Sequence, residues 1–337
     1  MFRRALVSLA FSTVIIAVAS LLPIPAVGQT SRATARKAWT PPRTPWGDPD
    51  LQGNFTNKSE QGTPFERPGQ FEGRRLEDIQ GAELADILRA RQQQVIETGR
   101  PEGSEDVPHA PFHWSDRFEV TKGGQAWLVV EPPDGKIPPL TPEAQKRAAA
   151  RAAARAQARS GRGPADSWED RSLYERCISR GLPGSMMPAI YGNSYRIVQG
   201  PGYVAIQYEM VHETRVVPLD GRPHIGTAIR QYMGDARGRW EGDSLVVETT
   251  NFREETTYRG ANPETMRLIE RFTRVAPDKV RWAVTIDDPH TWTRPWTFAL
   301  PLTIDDREPM LEYGCHEGNY GLHNILTGAR AEDAGKK

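Results

Sequence analysis

The sequence has only two cysteines and seven histidines in 337 residues, and its formal net charge is zero. It contains no H-x-H, H-E-x-x-H or C-x-x-C spacing, which removes the usual signatures of zinc sites. It also lacks a G-x-S-x-G elbow, a P-loop and a G-x-G-x-x-G loop, so hydrolase, kinase and nicotinamide functions lose support. Lysine plus arginine and aspartate plus glutamate number 43 each, so no global field favours nucleic acid. We therefore expect no cofactor and no nucleic-acid partner.

A long apolar run occurs at the N-terminus. Arg3 and Arg4 precede an almost wholly apolar stretch that ends at Leu22, and the small residues Ala26 and Gly28 follow. This is the layout of a secretory signal peptide. The first 28 residues are therefore predicted to be cleaved, which would leave a periplasmic or extracellular protein that does not insert into the membrane. The alternative is a retained membrane anchor, since the stretch approaches the length of a span.

Residues 29–170 are predicted to form an extended arm, a first strand and a helical insertion. Residues 50–57 resemble a strand, and 123–135 resemble a strand that runs into a turn. Apolar residues at helical spacing predict a helix over 74–100. A second helix is predicted over 141–160, where Thr141 is the cap and Pro142 the first helical residue. Its basic face suggests either an anionic partner or a solvated surface helix.

Residues 171–330 are predicted to be β-dominated. Strand-like segments alternate with short turns at 200–202, 241–243 and 277–279, and no helix separates them. Two strands are apolar on one face, with Val280, Trp282, Val284 and Ile286 on the first and Trp296, Phe298, Leu300 and Leu302 on the second. An antiparallel meander closes most naturally into a barrel, because closure removes exposed edges. We therefore expect a mainly β protein whose barrel encloses a small-molecule pocket.

Six segments carry a family resemblance: TPWGDPDLQGNF, YERCISRGLPGSMMP, VHETRVVPLDGRPH, GRWEGDSLVVETTNF, TIDDPHTWTRPWT and YGCHEGNYGLHNIL. They resemble a family of secreted bacterial proteins of unassigned function, over nearly the whole mature chain. The hairpin pattern is also similar to that of lipocalin-like (calycin) barrels, which open on a G-x-W strand. Phe55 stands where that tryptophan would be. The resemblance implies a shared fold and supplies no chemistry.

The richest polar segment runs from residue 208 to residue 230. His212 could move protons near neutral pH, and the adjacent Glu213 could orient it. Arginine can hold a carboxylate with its two-pronged guanidinium, which suggests Arg215 or Arg230 as a binder of an acidic substrate. The alternative is that these side chains cap turns and pair on the surface. The substrate-binding candidates in this segment are Tyr208, Arg215, His224 and Arg230.

A second cluster lies in residues 286–298. Trp292 could stack on a sugar or aromatic ring, and Arg294 could bind an acid. The alternative is structural, with Arg294 sandwiched between the rings of Trp292 and Trp296 as a cation–π contact.

The residues Cys315, His316 and Glu317 are adjacent. In an oxidising compartment a reactive thiol is vulnerable, and Cys177 is the one possible intramolecular partner. We therefore predict a Cys177–Cys315 disulfide, with His316 and Glu317 as a functional pair beside it. Two separate buried thiols are the alternative. A metal held by His212, His316 and a glutamate is another, although no metal is expected.

These residues favour a cofactor-independent lyase or isomerase that acts on a small phenolic or sugar-derived acid. The candidates for general acid–base catalysis are His212, Glu213, His316 and Glu317. Two rival interpretations remain at this point: a non-catalytic periplasmic ligand-binding or carrier protein, and a structural protein of the envelope.

Overall fold

An antiparallel β-sheet forms the framework of the protein. The computed structural model describes residues 39–98, 124–158, 163–189, 191–304 and 310–335. The predicted signal peptide and the first part of the predicted arm lie outside the described residues. The strands are β1 Gly53–Thr56, β2 Val129–Glu131, β3 Ser194–Gly200, β4 Tyr203–Tyr208, β5 Thr214–Pro218, β6 Asp235–Glu241, β7 Ser244–Thr250, β8 Arg267–Ala276, β9 Lys279–Asp287 and β10 Trp296–Ile304.

The ten strands belong to one sheet in the order β5-β4-β3-β1-β10-β9-β8-β7-β6, and β2 also pairs with β10. Strands β6 to β10 follow one another in space as they do in sequence, as a meander should. Strands β1 and β2 lie before residue 171 in sequence, yet both pair with the same edge of β10. The turns predicted at 200–202, 241–243 and 277–279 are confirmed, because each joins a paired hairpin.

The predicted barrel does not close, and this is a correction to the sequence-based expectation. Strands β5 and β6 are the two edges of the sheet, and they touch without pairing. A Cβ added at Gly238 on β6 would lie 2.7 Å from Val217 Cγ1 on β5, so glycine permits this close approach. Strand β5 is short and ends at Pro218, which has no N–H to offer a partner. The result is a strongly curved, open sheet.

The inner face of the sheet is covered by apolar side chains. The predicted apolar faces of β9 and β10 are confirmed, since Val280, Trp282, Val284, Ile286, Trp296, Phe298, Leu300 and Leu302 are all fully buried. Phe55 is also buried, at the place where the lipocalin-like resemblance puts a tryptophan. Aromatic rings meet edge to face inside, for example Trp282 and Phe298 with centroids 5.7 Å apart. These side chains occupy the space in which a lipocalin-like barrel would hold its ligand.

An ion pair crosses this apolar interior. Arg215 on β5 and Glu270 on β8 form a two-pronged salt bridge, and both side chains are almost completely buried. Trp282 Nε1 donates to the same carboxylate at 3.0 Å. Burial alone would lower the pKa of Arg215, but the charge of Glu270 raises it, so the guanidinium stays charged. The pair links an edge strand to a strand near the opposite edge.

The described residues contain three α-helices around the sheet: α1 Gly81–Thr98, α2 Pro142–Ala158 and α3 Tyr320–Gly335. Helices α1 and α2 confirm the two predicted helices, although α1 begins later than expected, after a 3₁₀ turn at Leu76–Asp78. Thr141 caps α2 as predicted, because its Oγ1 accepts from Ala144 N at 3.1 Å. Helix α3 was not predicted. Its first turn is capped by Asn319, whose Oδ1 accepts from Leu322 N at 3.0 Å.

The two ends of the sheet differ. The register places the three tight hairpin turns at one end, which we call the hairpin end. The opposite end, which we call the loop end, carries the connections at 209–213, 251–266 and 288–295. Helix α2 joins this end through Thr141, whose hydroxyl donates to His290 O at 3.0 Å. Long loops on a rigid scaffold are where binding and catalytic groups concentrate.

Replacing Arg215 with methionine is expected to leave the Glu270 carboxylate buried without a countercharge. We expect the free energy of unfolding to fall by about 3–5 kcal/mol, measured by urea denaturation. The double variant R215M/E270Q removes both charges and keeps an acceptor for Trp282, so it should recover most of that loss. The control is Arg271→Met on the exposed face of β8, the strand of Glu270, where the solvent-exposed pair with Glu241 should contribute little to stability. Equal losses in R215M and R271M would contradict the interior role of the pair.

A buried carboxyl group follows β1. Glu60 Oε2 accepts from Thr63 Oγ1 at 3.0 Å and from Gln125 N at 3.3 Å, while Oε1 has no hydrogen-bond partner among the residues described. Burial raises the pKa of Glu60 from 4.5 to about 7. The folded protein therefore binds this proton more tightly than the unfolded chain does.

The raised pKa of Glu60 gives a pH dependence of stability. Its contribution is fully present below pH 4.5 and is lost as pH rises through about 7. The expected decline is about 3 kcal/mol, and Glu60→Gln should remove it. Urea unfolding at pH 4.5 and above pH 7 measures the effect, with Glu72→Gln as the exposed control. A decline of the same size in E60Q would show that another group causes it.

Candidate functional site

The connection between β4 and β5 carries His212 and Glu213 at the loop end. Val211 and His212 have φ of 63° and 45°, in the left-handed region that a β-branched residue such as valine rarely adopts. Such residues cost about 1–3 kcal/mol each and persist only where the surroundings hold them. Two main-chain hydrogen bonds stabilise this conformation. His212 N–H donates to Glu209 O at 3.0 Å, and Tyr208 N–H donates to Glu213 O at 2.9 Å.

The imidazole of His212 is exposed but oriented. Its Nδ1 lies 2.8 Å from the main-chain oxygen of Tyr313. Because a carbonyl oxygen only accepts, Nδ1 carries the hydrogen, and Nε2 of the neutral ring keeps a free lone pair. The hydrogen bond that orients the ring thus comes from the C-terminal segment, whereas the sequence had suggested Glu213 for that role.

The carboxyl group of Glu213 is half-buried among hydrogen-bond donors. Ser179 and Ser185 are buried and direct their hydroxyls at it, with Ser185 Oγ 3.4 Å from Oε2, and the main-chain N–H of Arg180 also donates to it. Burial is the largest influence and raises the pKa of Glu213, while these donors and His212 lower it. The net upward shift increases the fraction of Glu213 that holds a proton near neutral pH.

Three tyrosines and Arg180 complete the cluster. Tyr191 and Tyr313 stack with centroids 6.2 Å apart, and side-chain hydrogen bonds connect both rings with Tyr174. Burial raises the pKa of Tyr174 and of Tyr313. The Arg180 guanidinium lies 5.2 Å from the centroid of Tyr174 and forms no ion pair within the described residues. We call His212, Glu213, Arg180 and the three tyrosines the tyrosine cluster.

The predicted disulfide is confirmed, with Cys177 and Cys315 bonded and their Cα atoms 5.7 Å apart. It joins the segment of Tyr174 and Arg180 to the segment of Tyr313, so it holds the two parts of the tyrosine cluster together. His316 and Glu317 follow Cys315 and are exposed. In the described chain, neither side chain forms a hydrogen bond with His212 or Glu213.

Two predicted substrate-binding residues lie in the interior. Tyr208 is fully buried, and burial raises its pKa, which the charge of neighbouring Arg215 partly offsets. Arg215 is held by Glu270 as described above. Both residues are close in sequence to His212, at the adjoining ends of β4 and β5.

His224 and Arg230 lie in the connection between β5 and β6. His224 Nδ1 lies 2.8 Å from Asp235 Oδ2, and Asp235 also pairs with Arg237. Arg230 donates to the main-chain oxygen of Pro263 at 2.6 Å. These contacts attach the connection to the start of β6 and to the connection between β7 and β8. In His224, as in His212, Nδ1 faces an oxygen acceptor. The Nε2 atom of His224 differs because it lies 3.7 Å from Glu248 Oε1.

Trp292 and Arg294 are separated at the loop end. Trp292 is buried and packs edge to face against Trp296, with centroids 5.5 Å apart. Arg294 is exposed and lies 3.6 Å from Asp134 Oδ2. The alternative structural role, a cation–π sandwich of Arg294 between the two indoles, is therefore wrong, because their direct contact leaves no space for a guanidinium.

The described residues contain no group of three or more histidine, cysteine, aspartate or glutamate side chains able to hold a metal. None of the helices in the described ranges is long and apolar enough to cross a membrane.

The sequence analysis did not identify six residues of this site: Tyr174, Arg180, Tyr191, Tyr313 and the two serines beside Glu213, Ser179 and Ser185. A signal was present, since Tyr174 and Arg180 flank Cys177 and Tyr313 precedes Cys315. The predicted disulfide already implied that these side chains meet.

Comparisons of the chain with protein-family models, with curated proteins and with solved structures find no match.

Replacing both cysteines with serine is expected to lower the free energy of unfolding by up to about 5 kcal/mol, because the bond closes a loop with a sequence separation of 138. Urea denaturation measures the loss, and His316→Ala beside the bond is the control, with little change expected. The unreduced, denatured protein should take up no thiol label and the reduced protein two. Two labels without reduction would contradict the bond.

Proposed function

We propose that the protein is a secreted, cofactor-independent lyase or isomerase that acts by general acid–base catalysis on a small phenolic or sugar-derived acid. The observation that carries this proposal is the pairing of an oriented, exposed imidazole with a neighbouring carboxyl group whose pKa is raised. General acid–base catalysis needs one group that accepts a proton and one that donates it near the working pH. His212 and Glu213 fit these two roles.

His212 and Glu213 together can supply both proton transfers of the reaction. His212 Nε2 takes a proton from the substrate carbon next to the acid or carbonyl group. The protonated carboxyl of Glu213 gives a proton to the leaving oxygen in a lyase, or to the neighbouring oxygen or carbon in an isomerase. The bond to Tyr313 O orients the ring whether or not Nε2 carries a proton, since Nδ1 donates in both forms.

The surroundings suit an acidic substrate. Arg180 has no ion pair in the described residues and can therefore hold a carboxylate, the role that sequence reasoning gave to Arg215 or Arg230. Tyr174, Tyr191 and Tyr313 offer ring faces and hydroxyls to a phenol or a sugar. The strained backbone at Val211 and His212 supports a functional role for the connection, since such strain concentrates at functional sites.

The test follows proton exchange as well as product formation. The protein is incubated in D₂O with 4-hydroxybenzoate, 4-hydroxycinnamate, glucuronate and galacturonate, and ¹H NMR monitors new signals and the loss of carbon-bound protons. We expect at least one acid to exchange or react. His212→Ala should slow that reaction by about 10²–10⁴-fold, and Glu213→Gln should also slow it.

The control is His323→Ala, an exposed histidine on α3, which should leave the rate unchanged. Circular dichroism must show an unaltered fold in H212A. Saturation-transfer signals from a bound acid with neither exchange nor product would contradict the catalytic proposal and favour the carrier alternative. Equal activity in H212A and the parent protein would remove His212 from the mechanism.

A further inference from the structure

A cleft of about 260 Å³ lies at the loop end between helix α2 and the 3₁₀ turn Tyr258–Gly260. Leu140 and three alanines of α2 form an apolar wall, and Arg151, Arg155 and Arg259 contribute the charged groups. No acidic side chain lines it. The cleft shares no lining residue with the tyrosine cluster.

The arginines follow from the sequence of α2. Arg147, Arg151 and Arg155 are four residues apart, so they share one helix face. Like charges at this spacing destabilise a helix unless an anion compensates. Arg147 is compensated by Glu143 at 3.7 Å and Arg151 by Glu254 at 2.8 Å. Arg155 has no such partner in the described part of the chain.

Arg259 approaches from the opposite wall. Its φ of 51° places it in the left-handed region, which is costly for a residue other than glycine. Its guanidinium lies 4.2 Å from the centroid of Phe65 and bonds the hydroxyl of Tyr258. These contacts restrain the guanidinium, and among the described residues none of its N–H groups pairs with a carboxylate. A planar, oriented guanidinium is suited to two-pronged contact with an oxyanion.

A buried hydroxyl also reaches the cleft. Thr291 is almost fully buried, and its Oγ1 accepts from Arg147 at 2.6 Å and from Asn262 N at 3.2 Å. With both lone pairs used, the hydroxyl hydrogen remains to be donated. No acceptor for it occurs in the ranges that the structure describes, so the cleft offers a donor as well as cations.

We propose that this cleft binds a small oxyanion, a carboxylate or phosphate group carried on a compact body. Arg155 and Arg259 hold the anion from opposite walls, and the Thr291 hydroxyl donates to it. The alanine wall takes the apolar side of the ligand body. The volume lies just below the usual range for drug-sized ligands, about 300–1,000 Å³, which suits a small ligand.

Isothermal titration calorimetry tests the site with inorganic phosphate in one arm and benzoate in the other, at constant ionic strength. Saturable binding of one equivalent is expected in at least one arm, and the tighter arm identifies the source of the oxyanion. Arg155→Gln and Arg259→Gln should each weaken that binding about tenfold or more, since each removes charge-assisted hydrogen bonds.

The matched control is Arg89→Gln, an exposed arginine on helix α1, which should bind as the parent protein does. His212→Ala should also bind normally, which separates this site from the proposed catalytic function. No saturable binding in either arm would overturn the proposal. Equal weakening in R89Q and R155Q would do so as well, because it would indicate a general charge effect.

Discussion

The buried ion pair between Arg215 and Glu270 constrains the rest of the fold. A charge inside an apolar core is tolerated only with a partner, so β5 must lie where its arginine reaches across to β8. This fixes the edge strand of a sheet that hydrogen bonds alone leave open between β5 and β6. The connection that carries His212 and Glu213 ends one residue before β5 begins. The position of the candidate catalytic pair is therefore tied to the core.

Strain in the backbone is confined to the loop end. Within the described chain, the residues other than glycine with positive φ are Cys177, Val211, His212, Asn251 and Arg259. The first three belong to the tyrosine cluster or adjoin it, and Arg259 lines the anionic-ligand cleft. At the hairpin end, the turns at 200–202 and 241–243 place a glycine at the left-handed position, and the turn at 277–279 has no residue with positive φ. The residues with strained backbone and the hydrogen-bond donors without acceptors among the described residues thus both lie at the loop end. This is expected where a functional requirement is met at a cost in stability.

Much of the framework was predictable from the sequence. Alternation over residues 280–302 gave the buried face, the Gly-Pro-Gly and Glu-Gly-Asp turns gave the hairpins, and two cysteines in an expected oxidising compartment gave one bond. Closure was not predictable, because it depends on how β5 meets β6 in space. The role of Arg215 was not predictable either. An arginine can bind a substrate carboxylate or a buried protein carboxylate, and only the position of Glu270 in the fold decides between the two. The C-terminal helix was missed although Asn319 is a good cap followed by helix-forming residues.

A lipocalin-like barrel would keep its ligand inside, and that analogy misleads here. The inner face of this sheet is packed with Trp282, Trp296, Phe272 and Phe298 around a charge pair, so a small molecule cannot enter without unpacking the core. A ligand would therefore have to bind outside the barrel-like interior, and the two sites proposed above both lie at the loop end. Core residues such as Phe252, Met266 and Trp292 fix part of the connections at that end, and two further contacts fix the segments around them. The disulfide does so for the tyrosine cluster, and the docking of α2 on His290 and Thr291 does so for the cleft. The fold class alone therefore indicates neither where a ligand binds nor which residues hold it.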